Sequence, residues 1–363
     1  MKIFIIHASA GSGHKKVAEA ILEEVHLHYE KQNVMLFDIL DYTQWLYKFL
    51  YSQGYIFLIT RIQWLWRIFF YCSNMKIGSS LSQKIRCYIN SKFCTRFITF
   101  LEKENPDVII STHFLVNEQV SYLKEKKLIS SKLISVVTDF GVHRFWIADN
   151  VDTYVVASQK TKDILIAERI KESKIKICGI PIRKQFLKQM DRVQVREGLG
   201  IKNALFTVLV LTGGIGIGPI YEIVRLFNDE INVIVVCGNN DALVQRLSQL
   251  GFKHLIVFGW IENVEEVMRA ADVIITKPGG SSISESLVMG LPMFFFSIIP
   301  GQEAFNARVM SEYGTGFTVT MKNIREKVFL YKDAPEKLSE IKQKMSSFSS
   351  NKASQNIIAL INE

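Results

Sequence analysis

The run ADVIITKPGGSSISESLVMGLPMFFFSIIPGQEAFNA, from Ala271 to Ala307, constrains the fold more than any other part of the chain. A β-branched stretch, Asp272 to Thr276, leads into a Lys-Pro-Gly-Gly turn, after which Ser281 to Met289 carries helical spacing. Gly290-Leu291-Pro292 stops that helix, and a second strand, Met293 to Ser297, follows. Strand, glycine turn, helix and strand in this order make one unit of a parallel sheet, and so predict an α/β fold.

The same stretch carries chemistry. Gly279 and Gly280 allow close backbone approach, and Ser281 and Ser282 add hydroxyls to the unpaired N–H groups of a helix start. Such a site favours phosphate or pyrophosphate. Glu285, one turn further in, repels phosphate but can accept hydrogen bonds from two ribose hydroxyls. Pro300-Gly301-Gln302-Glu303 opens another helix and adds more polar groups. Together these features read as a nucleotide-sugar pocket. The plainer alternative is that the glycines only make turns and Glu285 is a solvated charge.

The longer pattern is more specific. KPGGSSISESLVMGLPM with PGQEAFNA resembles the donor-site signature of family 28 glycosyltransferases, and HASAGSGHKKVAEAI resembles their first glycine loop. The likeness is to the monogalactosyldiacylglycerol synthase and processive diacylglycerol glucosyltransferase group, with the muropeptide N-acetylglucosaminyltransferase further off. It runs along most of the chain and is weakest between Tyr42 and Glu104. It implies a GT-B fold, two Rossmann-like domains whose parallel sheets face each other across a cleft. The expected division is an acceptor domain at 1–185, a linker at 186–204, a UDP-sugar domain at 205–335, and C-terminal helices at 336–363 that cross back.

By resemblance, Gly213, Gly214, Ser281 and Ser282, with Gly279 and Gly280, hold the pyrophosphate. Glu285 holds the ribose, Gln302, Glu303 and Asn306 the phosphate or sugar hydroxyls, and Gly259, Trp260 and Ile261 the uracil. In VTDFGVHRFW, Asp139 and His143 stand at the carboxyl rim of the first sheet, and the acceptor loop of the family implies that Gly13, His143 and Trp146 meet the acceptor. On the residues alone, Asp139 is a turn residue.

His14 stands at a predicted helix start, His14 to Tyr29, above the end of the strand Lys2 to His7, where open α/β sheets bind ligands. A helix N-terminus keeps an imidazole neutral, which suits a general base, although on the residues alone a histidine there is usually only a cap. The resemblance favours the base. Either His14 or Asp139 takes the acceptor's proton, the other positioning the acceptor. No D-x-D motif is present, so no metal ligands are expected, and no cofactor beyond the UDP-sugar substrate. G-x-G-x-x-G and P-loop patterns are also missing, which argues against dehydrogenase and NTPase readings.

The net charge of +9 is unevenly placed: Tyr42 to Leu101 has no Asp or Glu but contains Lys48, Arg61, Arg67, Lys76, Lys84, Arg86, Lys92 and Arg96. Two helical faces are predicted in this segment, Tyr42, Trp45, Leu46, Phe49 and Leu50, and then Leu81, Ile85, Ile89, Phe93 and Phe97. Tryptophans beside cations, notably Trp45, Trp64 and Trp66 with Arg61 and Arg67, suit helices lying in an anionic membrane surface. No motif supports nucleic acid as the partner.

Asn203 to Tyr221 is uncharged, but its four glycines and Pro219 make it a strand and turn, so no membrane span is expected. The five cysteines contain no C-x-x-C pair and fit a reducing compartment. The expected activity is inverting transfer of glucose or galactose, from UDP-glucose or UDP-galactose, to diacylglycerol. It would take place peripherally, at the cytoplasmic face of the cell membrane. The alternatives are an N-acetylglucosamine transferase acting on a polyprenyl-linked acceptor, and a non-catalytic nucleotide-sugar-binding membrane regulator.

Overall fold

Six short apolar runs in each half of the chain form two parallel sheets. They are seen in a computed structural model that describes every residue except 10, 76–78, 202–204, 215, 217, 228 and 349–350, with only the backbone of 79–84. The first sheet contains β1 (Ile3–His7), β2 (Val34–Asp38), β3 (Val108–Ser111), β4 (Lys132–Val136), β5 (Thr153–Val156) and β6 (Ile175–Ile177), in the order β2-β1-β3-β4-β5-β6. The second contains β7 (Thr207–Leu211), β8 (Asn232–Val236), β9 (Leu255–Phe258), β10 (Val273–Thr276), β11 (Met293–Phe295) and β12 (Gly316–Thr318), in the order β12-β11-β10-β7-β8-β9. Strands β1, β3, β7, β8 and β10 are buried at every position, as continuous Val/Ile/Leu runs require when helices cover both faces of a sheet. The short β12, three residues long, has no counterpart among the strands expected from the sequence.

The chain separates into two units, 1–183 with 299–305 and 352–363, and 184–298 with 306–351. One core gathers Phe4, Ile6, Leu101 and Val137 under the first sheet. The other gathers Val208, Val210, Phe227 and Phe294 under the second. The helix Pro335–Phe348 lies in the second unit, and Ala353–Ala359 in the first, where Ser354 Oγ donates to the Ala20 carbonyl at 3.3 Å.

Strand order locates the sites. In the first sheet β2 lies on one side of β1 and β3 on the other, so the winding reverses between β1 and β3. In the second it reverses between β7 and β10. Ligands of open α/β sheets bind beyond the carboxyl ends of the strands at such reversals. His14 and Thr112 follow β1 and β3, and the Gly213 and Lys277-Pro278-Gly279 turns follow β7 and β10.

The basic segment departs from the predicted faces. Tyr42 belongs to a 3₁₀ turn, Ile39–Tyr42, and is half-buried rather than aligned with Trp45. Helices Trp45–Phe49 and Tyr55–Arg61 are joined by a π turn, Leu50–Gly54, whose extra residue per turn re-aims the later side chains. Phe93 and Phe97 fall on different helices, Ser79–Phe93 and Thr95–Glu104. Phe97 is buried, whereas Ile85 and Ile89 are exposed. Lys76 and the side chains of Leu81 and Lys84 lie outside the described residues.

Within 186–204 the helix Arg192–Gly198 packs in the second unit. Asp272 Oδ2 accepts from Arg196 Nη2 at 3.0 Å and from the Thr207 amide at 2.9 Å, while Oδ1 accepts from Arg192 Nη2 at 2.5 Å. Arg196 is buried and Arg192 more than a third exposed. Removing one partner of a buried pair strands a charge, whereas exposed pairs contribute little. Asp272→Ala is therefore expected to cost about 3–5 kcal/mol in urea denaturation, and Arg192→Ala about 1 kcal/mol or less.

Candidate active site

The residue His14 lies in the first turn of the helix Ser12–Val25, which starts at Gly11 without a side-chain cap. Its Nδ1 is 2.8 Å from the Thr112 carbonyl and 3.0 Å from Thr138 Oγ1. A carbonyl only accepts, so Nδ1 carries the proton and Nε2 keeps its lone pair. Three strands cooperate here, because Thr112 follows β3 and Thr138 follows β4 at the same rim as the end of β1. The imidazole is pushed down to about 4, chiefly by burial, against the opposing pull of the Thr112 carbonyl and with a lesser contribution from His7. Desolvation is thus the main reason His14 stays neutral, where sequence reasoning had invoked the helix terminus.

His14 forms part of the wall of a cavity of about 290 Å³ that also contains Trp146, His143, Tyr51, Phe70 and Gln302. Most of the rest of the wall comes from the basic aromatic segment, whose place in the site could not be told from spacing. Leu50 and Phe69 line the cavity although both are more than half exposed, so the cavity opens on the outer apolar face of that segment.

Of the acceptor-side residues, His14, His143 and Trp146 come together, while Gly13 and Asp139 are not among those lining the cavity. Asp139 follows Thr138 directly and is close enough to Tyr55 to act on its hydroxyl. His143 is committed to structure: Nδ1 accepts from the Phe145 amide at 3.1 Å, so Nε2 carries the proton, 3.2 Å from the Phe70 carbonyl and from Ser73 Oγ. It therefore forms wall rather than acting as a hydrogen-bonding contact for an acceptor.

Trp66 faces inward, contrary to the membrane role expected of it. It is 8% exposed and its Nε1 donates to the Pro300 carbonyl at 2.8 Å. Trp45 and Trp64 are 79% and 66% exposed, and Arg61 and Arg67 are exposed as well.

In the second unit the expected donor residues split. The helix Gly280–Met289 starts at Gly279 with no side-chain cap, leaving its first N–H groups open toward the half-buried Ser281 and Ser282. Glu285 sits one turn in and is 4% exposed. Beside this helix start in the sheet, the Gly213–Gly214 turn is clasped by Gly238, where a Cβ would stand 2.3 Å from the Gly214 carbonyl oxygen at a φ of +59°. The Asn239 amide donates to that same oxygen at 3.0 Å.

Trp260 stands over Gly214, with Gly259 at the end of β9 and Ile261 following. Ile215 and Ile217 of this turn lie outside the described residues. The Thr212 hydroxyl, just before the turn, is buried with no hydrogen-bond partner among the described residues.

The remaining expected donor contacts sit elsewhere. Asn306 is fully buried and its Nδ2 donates to the Pro278 carbonyl at 3.0 Å, so it fixes the turn from behind instead of reaching a ligand. Gln302 and Glu303 belong to the first unit. Gln302 lines the His14 cavity, and Glu303 accepts from the Ile299 amide at 2.8 Å. Among the described residues no cluster of three or more His, Cys, Asp or Glu side chains could hold a metal ion.

Two six-stranded parallel sheets, each wound outward in both directions from one reversal, are the pair of Rossmann-like units that make up the GT-B class of fold. Residues 14–182 match the monogalactosyldiacylglycerol (MGDG) synthase family, and 209–360 match the glycosyltransferase family 28 C-terminal domain. A processive diacylglycerol beta-glucosyltransferase of Bacillus pumilus is 31% identical, covering 98% of this chain and 93% of its own. One of Bacillus licheniformis is 29% identical, covering 99% and 94%.

The chain therefore belongs to family 28 of the glycosyltransferases, in the group that includes the MGDG synthases and the processive diacylglycerol glucosyltransferases. The fold is shared with Acinetobacter baumannii MurG (TM-score 0.62, 11% identity, 99% of both chains). It is also shared with the UDP-GlcNAc 2-epimerase of Neisseria meningitidis (TM-score 0.61, 15% identity, 100% of both).

Burial lowers the pKa of His14, His113 and His143, the first and last to about 4. The unfolded chain binds these protons near 6.5 and the folded chain only well below that, so stability is intact above 6.5 and falls as pH drops below it. For His143 alone the loss between about pH 7 and 5 is about 2 kcal/mol. The urea midpoint is expected to drop over that interval, and less steeply in His143→Gln.

Proposed function

We propose that this protein transfers a hexose from its UDP-sugar to the free hydroxyl of diacylglycerol at the membrane surface, with inversion, giving a β-glycosyldiacylglycerol. Relatives named for beta-glucosyl transfer favour glucose over galactose. The observation that carries the reading is a neutral histidine, its Nε2 lone pair uncommitted, on the wall of an aromatic cavity that opens beside exposed apolar side chains.

In the proposed reaction the acceptor oxygen bonds to the anomeric carbon while the bond to the β-phosphate oxygen breaks, its electron pair leaving with UDP. The hydroxyl proton passes to His14 Nε2. General base help of this kind is worth about 10²–10⁴-fold. In the second unit, the open N–H groups at Gly280, Ser281 and Ser282, with the Gly213–Gly214 turn, would take the diphosphate and offset its growing charge. Glu285 would take the ribose, and Gly259, Trp260 and Ile261 the uracil.

Trp45 and Trp64, with Arg61 and Arg67 beside them, would rest in an anionic leaflet, each cation contributing about 1 kcal/mol. Among the described residues no helix is long and apolar enough to cross a bilayer. All five cysteines are free, which suits the cytoplasmic side.

Purified protein given UDP-glucose, UDP-galactose or UDP-N-acetylglucosamine with diacylglycerol vesicles should consume UDP-glucose. Transfer only to a polyprenyl-linked acceptor, or no transfer at all, refutes the reading. His14→Ala is expected to lower kcat by about 10²–10⁴-fold. Wild-type kcat/KM should stay level from about pH 8 to 6, because His14 does not protonate until near 4. A greater loss in Asp139→Ala, with His14→Ala near wild type, would move the base to Asp139. Trp45→Ser with Trp64→Ser should weaken binding to phosphatidylglycerol vesicles about tenfold, measured by sedimentation.

A further inference from the structure

One polar group on the wall of the aromatic cavity has no part in the chemistry above. Arg86, on the helix Ser79–Phe93, is about one-fifth exposed, and its Nε donates to Glu118 Oε2 at 2.6 Å. Glu118, on Phe114–Glu125, is nearly fully buried, and its Oε1 accepts from Asn90 Nδ2 at 2.9 Å. Asn90 Oδ1 in turn accepts from Tyr47 OH at 2.9 Å. The guanidinium lies over Phe145, with Cζ 3.8 Å from the ring centroid.

Every polar atom in this chain of contacts is thereby occupied, apart from the two terminal nitrogens of Arg86. Among the described residues these make no hydrogen bond, although Arg86 lines the cavity. A guanidinium donates through five N–H groups and accepts nothing, so what it still seeks is an acceptor. The Phe145 contact and the Glu118 bond hold the guanidinium in place, leaving those donors preorganised.

We propose that Arg86 is an acceptor-specificity residue that donates to the ester carbonyls of the lipid acceptor, placing the glycerol hydroxyl against His14. This rests on the acceptor being a diacylglycerol. Charge decides between an ester and an anionic headgroup. Glu118 already balances Arg86, so an incoming phosphate would meet a buried carboxylate a few ångströms behind the guanidinium, whereas a neutral carbonyl dipole meets only the donors. A diether lipid has the same shape and hydroxyl but lacks the carbonyls. It would leave the donors unpaired in an apolar wall, the situation that makes polar sites discriminate.

The test compares kcat/KM for a diacylglycerol and the dialkylglycerol of equal chain length, in mixed micelles with UDP-glucose. Wild type is expected to prefer the diester by about tenfold or more, through KM, the worth of one charge-assisted hydrogen bond. In Arg86→Met with Glu118→Gln, which removes both charges together, the ratio should fall toward one, and Arg86→Lys should lie between. Equal use of both lipids by wild type, or an unchanged ratio in the double variant, overturns the carbonyl contact while leaving the acceptor assignment standing. Glycosylation of neither lipid overturns the acceptor assignment itself, and this inference with it.

Discussion

The hydrogen bond between His14 and the Thr112 carbonyl depends on the register of two parallel strands. The Thr112 amide extends the β1–β3 ladder by donating to the Ile6 carbonyl at 3.0 Å, and its hydroxyl donates to the His14 carbonyl at 3.1 Å. Residue 112 is thus tied to both ends of the loop that carries the histidine. The loop is built from small residues, and its ring is held by neighbouring strands rather than by its own backbone. The anchor is a carbonyl and not a carboxylate, so its pull toward the imidazolium is outweighed by the cost of burial, which sets the protonation state.

The second sheet solves a different problem by the same topology. There the reversal between β7 and β10 sets a glycine turn beside an uncapped helix start, so backbone amides collect where side chains would crowd. The cost is close packing behind the turn. Gly238 presses on the Gly214 carbonyl and Asn306 holds Pro278, so the residues nearest the proposed diphosphate are fixed by others that never reach it. The acid–base work proposed for one unit and the anion binding proposed for the other would both follow from what each reversal exposes.

Much of this was legible in the sequence. The glycine turn before Ser281, the strand runs and the placing of His14 after β1 are local, and local patterns state them. Partnerships between helices were not legible. Arg86 and Glu118 are 32 residues apart, and nothing in either spacing says they meet. Trp66 and Trp64 look alike in sequence, yet a two-residue offset on a helix turns one toward Pro300 and the other outward. Asn306 and Gln302 sit in one motif, but one helical turn sends them to different units. Periodicity also assumes unbroken helices, and the π turn at Leu50–Gly54 and the break at Cys94 defeat it.

Leu50 and Phe69 are at once rim of the cavity and part of the exposed apolar face. On the proposed reading, a fatty chain entering there leaves one hydrocarbon medium for another and is never rehydrated on the way. Capture from water gains about 0.8 kcal/mol for every methylene buried, so a water-fed pocket ranks chains steeply by length. A slot fed from the lipid side gains almost nothing from each added carbon. Tail length would then be sorted by the bilayer's own composition, and the protein would be left to read only the polar end.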